Sequence, residues 1–570
     1  MPPFFWALRL YWEPANLNKI ITMTKLIFSL ILLAAGPAAA QVTAYNELAA
    51  GKELAAVPEA IDEDANIEKG LADPKKLGDK IIRLIIRHPR AMHLVEYPIF
   101  KILGYAHKKG KLIPTMEHVL RSPAMQRFLP PLPPNKREDY IKKFPRMIAA
   151  QLEGGGYVRG VEGFEDWDKM SARHTDLMEA SRFKPQFKGP SLFENPGYLA
   201  EMEAVTGVPF KGGHAVQPLV DGPASFGARE RLMSGATKSI YLATWGWYDD
   251  VTGKATRDLL IAKKQQGLDV RVLVDGNISN FLGMESLKLL ADNGVQVGRF
   301  WDAERKYDGM HAKLLVVDGE QVITGGMNIG DKYSHMNPDA HKWRDTDVLA
   351  AGPAAAEAHK IFAATWNGVA AGQNLTPMEA AVAETSAGSA QAALVYQRAD
   401  KEPAIYLSLL KAIYGANTSV NIENAYFVTI PSLRTALEAA AARGVKVTVL
   451  TNSAQSNNEP ILTSFILESL AEMTAAGADV YVKEGETLHS KFITVDGVFA
   501  SVGSYNFHPK SIRHEREVTL HVVDREFAAQ MERTFADDIS QARKITAPEE
   551  LGMKDSPLNY LARRYMFDQL

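Results

Sequence analysis

The feature that most restricts what this chain can fold into is a duplication. Gly267 and Gly444 each precede an apolar run, Asp269 to Val274 and Val445 to Leu450, and the two glycines are 177 residues apart. The polar clusters that follow begin at His311 and His489, 178 residues apart, and Asn328 and Asn506 repeat that offset. Two copies of so long a unit point to two similar halves that pair closely, because a solenoid needs at least three shorter repeats. Within the first copy Ser239 to Thr244 and Asp269 to Val274 read as strands around a helix at Lys254 to Gln266. The second copy repeats the order, with strands at Ser419 to Glu423 and Val445 to Leu450 around a helix at Ser432 to Arg443. That alternation predicts an α/β sandwich with a largely parallel sheet in each half.

The halves are expected over 201–370 and 392–545, joined by a connector rich in Ala, Gly, Ser and Thr at 371–391 and followed by a tail at 546–570. In front of them, 41–200 reads as mostly helical, with amphipathic runs at Leu77 to His88 and Trp167 to Met178 and a stiff proline connector from Leu129 to Pro134. No chemistry stands out in that region. Lys25, the apolar run from Leu26 to Ala35 and the small residues Ala38 to Ala40 form a secretory signal within 1–40, which starts at Met23 if the residues before it are not translated. From Leu26 to Ala40 the segment is shorter than the roughly 20 residues that span a bilayer, so cleavage near Gln41 ranks above retention as an anchor. The mature chain is expected in the periplasm or outside the cell, with inner-membrane association as the second reading.

Lys+Arg 64 against Asp+Glu 67 leaves a net charge of −3, so an anionic partner must be met by a local basic site. The absence of cysteine removes disulfides, thiolate catalysis and Cys-ligated metals. What remains is the pair of clusters, His311-Ala312-Lys313 with Asp318-Gly319, and His489-Ser490-Lys491 with Asp496-Gly497. Each is H-x-K, four residues, then D. On a strand the His and Lys project to one face while the apolar residues after them anchor it. Seven residues past each Asp comes a turn, Gly325-Gly326-Met327-Asn328 or Gly503-Ser504-Tyr505-Asn506, which can bring an amide and backbone donors to the same place. A multi-oxygen anion fits such a site. Asp-Gly is also an ordinary hairpin dipeptide, so a turn role for Asp318 and Asp496 stands level with a chemical one.

At these residues the chain resembles the phospholipase D superfamily, whose mark is two H-x-K-x4-D motifs, each followed by a G-[SG]-x-N turn. The resemblance runs from about Val216 to Ile545, through Trp343-Arg344-Asp345-Thr346 and Glu423-Asn424-Ala425-Tyr426-Phe427. Thr451-Asn452-Ser453 and Ser511-Ile512-Arg513 are similar to the bacterial cardiolipin synthase and phospholipase D-like branch. Gly326, where serine is common, and Glu515, where that branch often has asparagine, depart from the pattern. The resemblance implies two phospholipase D-like halves forming one pseudo-twofold catalytic unit, and a phosphohistidine intermediate with His311 as nucleophile and His489 as acid and then base, an order the symmetry allows to be exchanged. His311, Lys313, Asp318, His489, Lys491 and Asp496 are the expected catalytic set. Lys313, Lys491, Asn328 and Asn506 would hold the nonbridging oxygens. Asp347 and Glu517 are the candidates for orienting the two imidazoles. No metal or cofactor is needed. A phospholipid substrate with an alcohol or water acceptor, met at a membrane surface, ranks first. An exported nuclease ranks second, since no dense Lys/Arg run borders either motif, and an idle binding scaffold third. Trp245, Trp247, Tyr248, Tyr426 and Phe427 are expected near the pocket mouth or in the core.

Overall fold

A computed structural model describes residues 73–89, 92–153, 167–302, 305, 308–553, 556–565 and 567. The expected export signal and cleavage site lie outside them. Among the described residues no helix is long and apolar enough to cross a membrane. The chain forms two compact units, Met1–Thr115 and Met116–Leu570. In the first, the amphipathic run appears as helix Pro74–Arg87, capped by the Asp73 carboxylate on the Lys75 N–H and burying Leu77, Ile81 and Ile85 at helical spacing. Helix Met92–Lys108 follows it.

The second unit carries the duplication. Its first half holds β1 (Lys211–Val220), β2 (Ser239–Thr244), β3 (Asp269–Asp275), β4 (Gln296–Phe300), β5 (Gly309–Met310), β6 (Leu314–Val317), β7 (Gln321–Gly325), β8 (Trp343–Arg344) and β9 (Thr346–Ala351). The second half holds β10 (Ala390–Gln397), β11 (Ser419–Asn424), β12 (Lys446–Asn452), β13 (Asp479–Lys483), β14 (Thr487–Leu488), β15 (Lys491–Val495), β16 (Phe499–Gly503), β17 (Glu515–Val523) and β18 (Arg543–Ile545). Hydrogen bonding links fifteen of them in the order β18-β13-β12-β11-β15-β16-β17-β10-β1-β9-β7-β6-β2-β3-β4, so one continuous sheet runs through both halves, while β5 pairs beside β17 and β8 pairs with β14. The halves join at β1, which pairs with β9 of its own half and with β10 of the other. A shared core, including Val316, Val348, Phe492, Val502 and Leu520, lies between the halves.

The sheet is mixed rather than largely parallel. Within it, the long parallel pairings are confined to β2-β3-β4 and β11-β12-β13, where helices cross over between strands. After each motif the chain instead turns back on itself, and β6 pairs antiparallel with β7 as β15 does with β16. The Asp-Gly dipeptides cause this: Asp318 and Gly319 have φ of 56° and 73°, Asp496 and Gly497 of 55° and 65°, as a tight hairpin turn requires at both central residues.

Candidate active site

The two H-x-K motifs fall at strand entries rather than within strands. His311 to Lys313 lie between β5 and β6, and His489 and Ser490 between β14 and β15. The short strand before each histidine belongs to the opposite half's edge. β5 runs beside β17, and the His311 N–H donates to the Arg516 carbonyl at 3.0 Å. β14 runs beside β8, and the His489 N–H donates to the Arg344 carbonyl at 2.7 Å. Each motif is thereby clamped to the segment that carries the other half's acid, Glu517 within β17 and Asp345 just after β8.

That exchange decides which carboxylates orient the imidazoles. Glu517 takes His311 Nδ1, with both oxygens at 3.0 Å, so it serves the opposite half's histidine rather than its own. Ser504 Oγ donates to one of its oxygens and Ser511 Oγ to the other, at 2.6 Å for Ser511. His489 Nδ1 lies 2.7 Å from Asp345 Oδ2. Asp347, the expected partner, instead accepts from Arg229 Nη2 at 2.8 Å, Ser225 Oγ at 2.5 Å and the Met327 N–H at 3.2 Å, a buried cluster that fastens the Gly325–Asn328 turn to helix Asp221–Gly235. The sequence does carry a signal for Asp345: it follows Arg344 as Glu517 follows Arg516. Arg344 fixes it from behind, donating to the Asp345 carbonyl at 2.5 Å and to Thr346 Oγ1 at 2.8 Å while its other nitrogens hold Asp538. Gly326 is explained by the same contact, since a β-carbon there would sit 2.1 Å from Asp345 Oδ1.

Asp318 and Asp496 stand outside this constellation. Asp318 accepts the N–H groups of Thr237, Lys238 and Ser239 at 2.8–2.9 Å, and Asp496 those of Asn417, Thr418 and Ser419 at 2.8–3.1 Å. Each carboxylate ties a hairpin turn to the start of the half's first helix-flanked strand, so the expected catalytic aspartates are framework residues. Asn328 is likewise committed. Its Oδ1 accepts from the Gly246 N–H at 2.9 Å, and its Nδ2 donates to Tyr333 Oη at 3.0 Å. Asn506 keeps a buried Oδ1 without a partner. Trp247 and Phe427 are core, whereas Trp245 stands 6.1 Å from the His311 ring and Tyr426 6.3 Å from His489.

Burial dominates the electrostatics. It pushes Lys313 down to about 8 and Lys491 down to about 7, against the pull of Glu517 and Asp345 respectively. It holds His489 well below the ordinary imidazole range, helped by the charges of Lys491, Lys313 and His311, which act on it across the site. Asp345 is pushed up to about 8 by burial, with Lys491 opposing. Burial thus weakens both ammonium charges, and a phosphodiester anion between them favours their protonated forms. Because kcat/KM reports the free enzyme, it should fall as pH rises through about 7 to 8 while the lysines lose their protons. Measured kcat should keep its activity to higher pH, and Lys491→Arg should move the kcat/KM limb upward; a limb unmoved by that substitution would exclude Lys491 as its source.

Glu515 sits with its carboxylate 3.9 Å from His311 Nδ1, paired with Lys510 at 3.3 Å and Ser511 at 2.9 Å. Burial opposes its charge, but His311, Lys510 and His508 hold it well below the usual carboxylate range. His311, Glu515 and Glu517 place one nitrogen and two carboxylates within 4.8 Å of one another, the one array among the described residues with cation-binding spacing. Glu517 is already spent on fixing His311.

The description "Cardiolipin synthase, PLD-like domain" matches residues 230–366 and 409–539. Cardiolipin synthase A of Pseudomonas putida (strain GB-1) is 32% identical over 362 residues, which cover 62% of this chain and 75% of that one. The major cardiolipin synthase ClsA of Bacillus subtilis (strain 168) is 29% identical over 395 residues, 67% of this chain and 80% of its own. The solved phosphatidylserine synthase of Haemophilus influenzae Rd KW20 shares the fold, with a TM-score of 0.53 at 16% identity over 64% of this chain and 95% of that one. Two imidazoles, each fixed by a carboxylate from the other half and flanked by buried lysines, define an enzyme of phosphodiester cleavage or exchange. The chain belongs to the phospholipase D superfamily, in its bacterial cardiolipin synthase branch.

Proposed function

We propose that the chain moves a phosphatidyl group from a phospholipid to an alcohol through a phosphohistidine. The observation that carries this reading is the crossed pairing of His311 with Glu517 and His489 with Asp345. A carboxylate on Nδ1 fixes the tautomer that leaves Nε2 free for phosphorus or for a proton. His311 attacks, the P–O bond to the leaving alcohol breaks, and His489 supplies that oxygen's proton. The acceptor then gives its hydroxyl proton back to His489 as its oxygen displaces His311. Lys313 and Lys491 offset the charge on the nonbridging oxygens, a contribution worth several kcal/mol in a preorganised site. Burial and the lysine charges hold His489 toward its neutral form, and an anion between the lysines favours the protonated form it needs as an acid.

The relatives named cardiolipin synthases support a lipid over a nucleic acid. So do exposed apolar side chains. Phe281 is 65% and Met284 57% exposed, and Val251, Trp301 and Met336 are also exposed, on segments that follow β2, β3, β4 and β7. Asp249 binds the segment after β2 to that after β3 through the Glu285 and Ser286 N–H groups. Large apolar side chains exposed on these segments suit contact with a bilayer surface. Purified chain mixed with phospholipid vesicles and a short alcohol should yield the exchanged lipid and pellet with the vesicles, and Phe281→Asp with Met284→Asp should weaken both. Nicked plasmid DNA with untouched lipid would reverse the assignment.

A further inference from the structure

Next to His489 stands a cation that the chemistry described so far does not use. Lys332 follows Asp331 on the short helix Asp331–Ser334, and its Nζ lies 4.0 Å from the Trp343 ring centroid, 4.6 Å from Tyr248 and 5.3 Å from Tyr333. Two of those rings also bound the catalytic imidazole: Trp343 is 5.1 Å and Tyr333 5.3 Å from His489. Among the described residues the ammonium has neither a hydrogen bond nor an ion pair, only ring faces. The two acids whose charges act on it, Asp250 and Glu459, are engaged elsewhere. Asp250 Oδ2 takes the Asp331 N–H at 2.7 Å, and Glu459 pairs with Lys143 at 3.3 Å. Burial brings Lys332 down to about 8, the sign of a charge that has lost water without gaining a partner.

We propose that Lys332 is an anion subsite for the acceptor, binding a phosphate carried by the incoming alcohol while that alcohol's hydroxyl reaches the phosphorus between His311 and His489. The proposal rests on the transfer reading above and deepens it by naming the acceptor as a phosphate-bearing alcohol rather than water or a neutral one. Geometry supports the division of labour. A single ring, Trp343, touches both Lys332 and His489, so an anion on Lys332 lies a short glycerol-like span from the imidazole that takes the acceptor's proton. The rings hold the ammonium in place without neutralising it, which leaves its charge for the ligand. In the step itself the acceptor oxygen bonds to phosphorus as the P–N bond to His311 breaks, and the hydroxyl proton goes to His489. Lys332 exchanges nothing and acts only by binding.

The test is a competition on one donor vesicle between glycerol and glycerol 3-phosphate, read as the ratio of kcat/KM for the two products with the full chain. The parent should prefer the phosphate-bearing alcohol, and Lys332→Gln should cut that preference about tenfold, the scale of one charge-assisted hydrogen bond. Lys332→Arg should keep most of it, because charge and reach survive. A parent without preference, or a Lys332→Gln variant that lowers both products in proportion, would overturn the subsite while leaving transfer intact. Release of the free phosphatidic acid with neither alcohol incorporated would instead sink the transfer reading, and this subsite with it.

Discussion

Alanine at His311 should abolish turnover, and alanine at His489 should slow it by about 10²- to 10⁴-fold, the usual worth of a positioned acid. The two losses differ in kind, and a substrate with a good leaving group separates them. A nitrophenyl phosphodiester leaves without needing a proton, so the His489→Ala variant should release one equivalent of nitrophenolate in a burst and stop with the phosphoryl group on His311 Nε2. The His311→Ala variant, lacking the nucleophile, should show no burst. Mass spectrometry of the quenched protein locates the adduct. A burst from His311→Ala with the adduct on His489 would exchange the roles, which the near symmetry of the site permits. Full activity in both variants would end the phosphohistidine account. Each substitution also leaves a buried carboxylate without its ring, Glu517 in one case and Asp345 in the other. Thermal melts of both variants therefore accompany the kinetics, so that lost folding is not read as lost chemistry.

The parts of this architecture that follow from local pattern were readable in the sequence. Ser239 to Thr244 was expected as a strand and is β2 to the residue, and the helix expected at Ser432 to Arg443 spans Pro431–Ala442. Apolar periodicity fixes such elements because burial of one face stabilises them wherever they dock. The histidines and lysines were legible because the duplication marked them. What local pattern could not give was the partner of each imidazole. Asp345 and Asp347 are two residues apart on one strand entry, and an alternation of period two cannot tell them apart. Which one meets a histidine depends on β14 lying beside β8, a contact between residues more than 140 positions apart. The aspartates of the motif show the converse. Their spacing is as regular as that of the histidines, yet it reflects a hairpin geometry repeated in both halves, where a carboxylate must receive three N–H groups. Regular spacing records a shared fold as readily as shared chemistry. The Lys332 cage was hidden for a third reason: its rings come from positions 248, 333 and 343, which only the folded loops assemble.

Asp345→Asn and Asp347→Asn should therefore fail in opposite ways, although the two residues are near neighbours with the same side chain. At 345 an amide offers Nδ2 or Oδ1 to His489 Nδ1 and no longer stabilises the imidazolium, so kcat should fall by about 10³- to 10⁴-fold, the scale seen when a histidine-orienting aspartate becomes an amide elsewhere. The loss of a buried charge that burial already pushes up to about 8 should cost little stability. Lys491 also loses the carboxylate that opposes its desolvation, so the alkaline limb of kcat/KM should move to lower pH. At 347 the chemistry is not touched directly, but Arg229 keeps a buried charge with no counter-ion, which costs about 3–5 kcal/mol. The unfolding midpoint should drop, while the protein that remains folded should turn over far better than Asp345→Asn. Steady-state kinetics beside denaturant melts of the two variants decide the matter. If Asp347→Asn silences a stably folded enzyme and Asp345→Asn does not, the imidazole on the second motif is governed by its neighbour two residues along the chain, and the exchange of acids between halves is packing rather than mechanism.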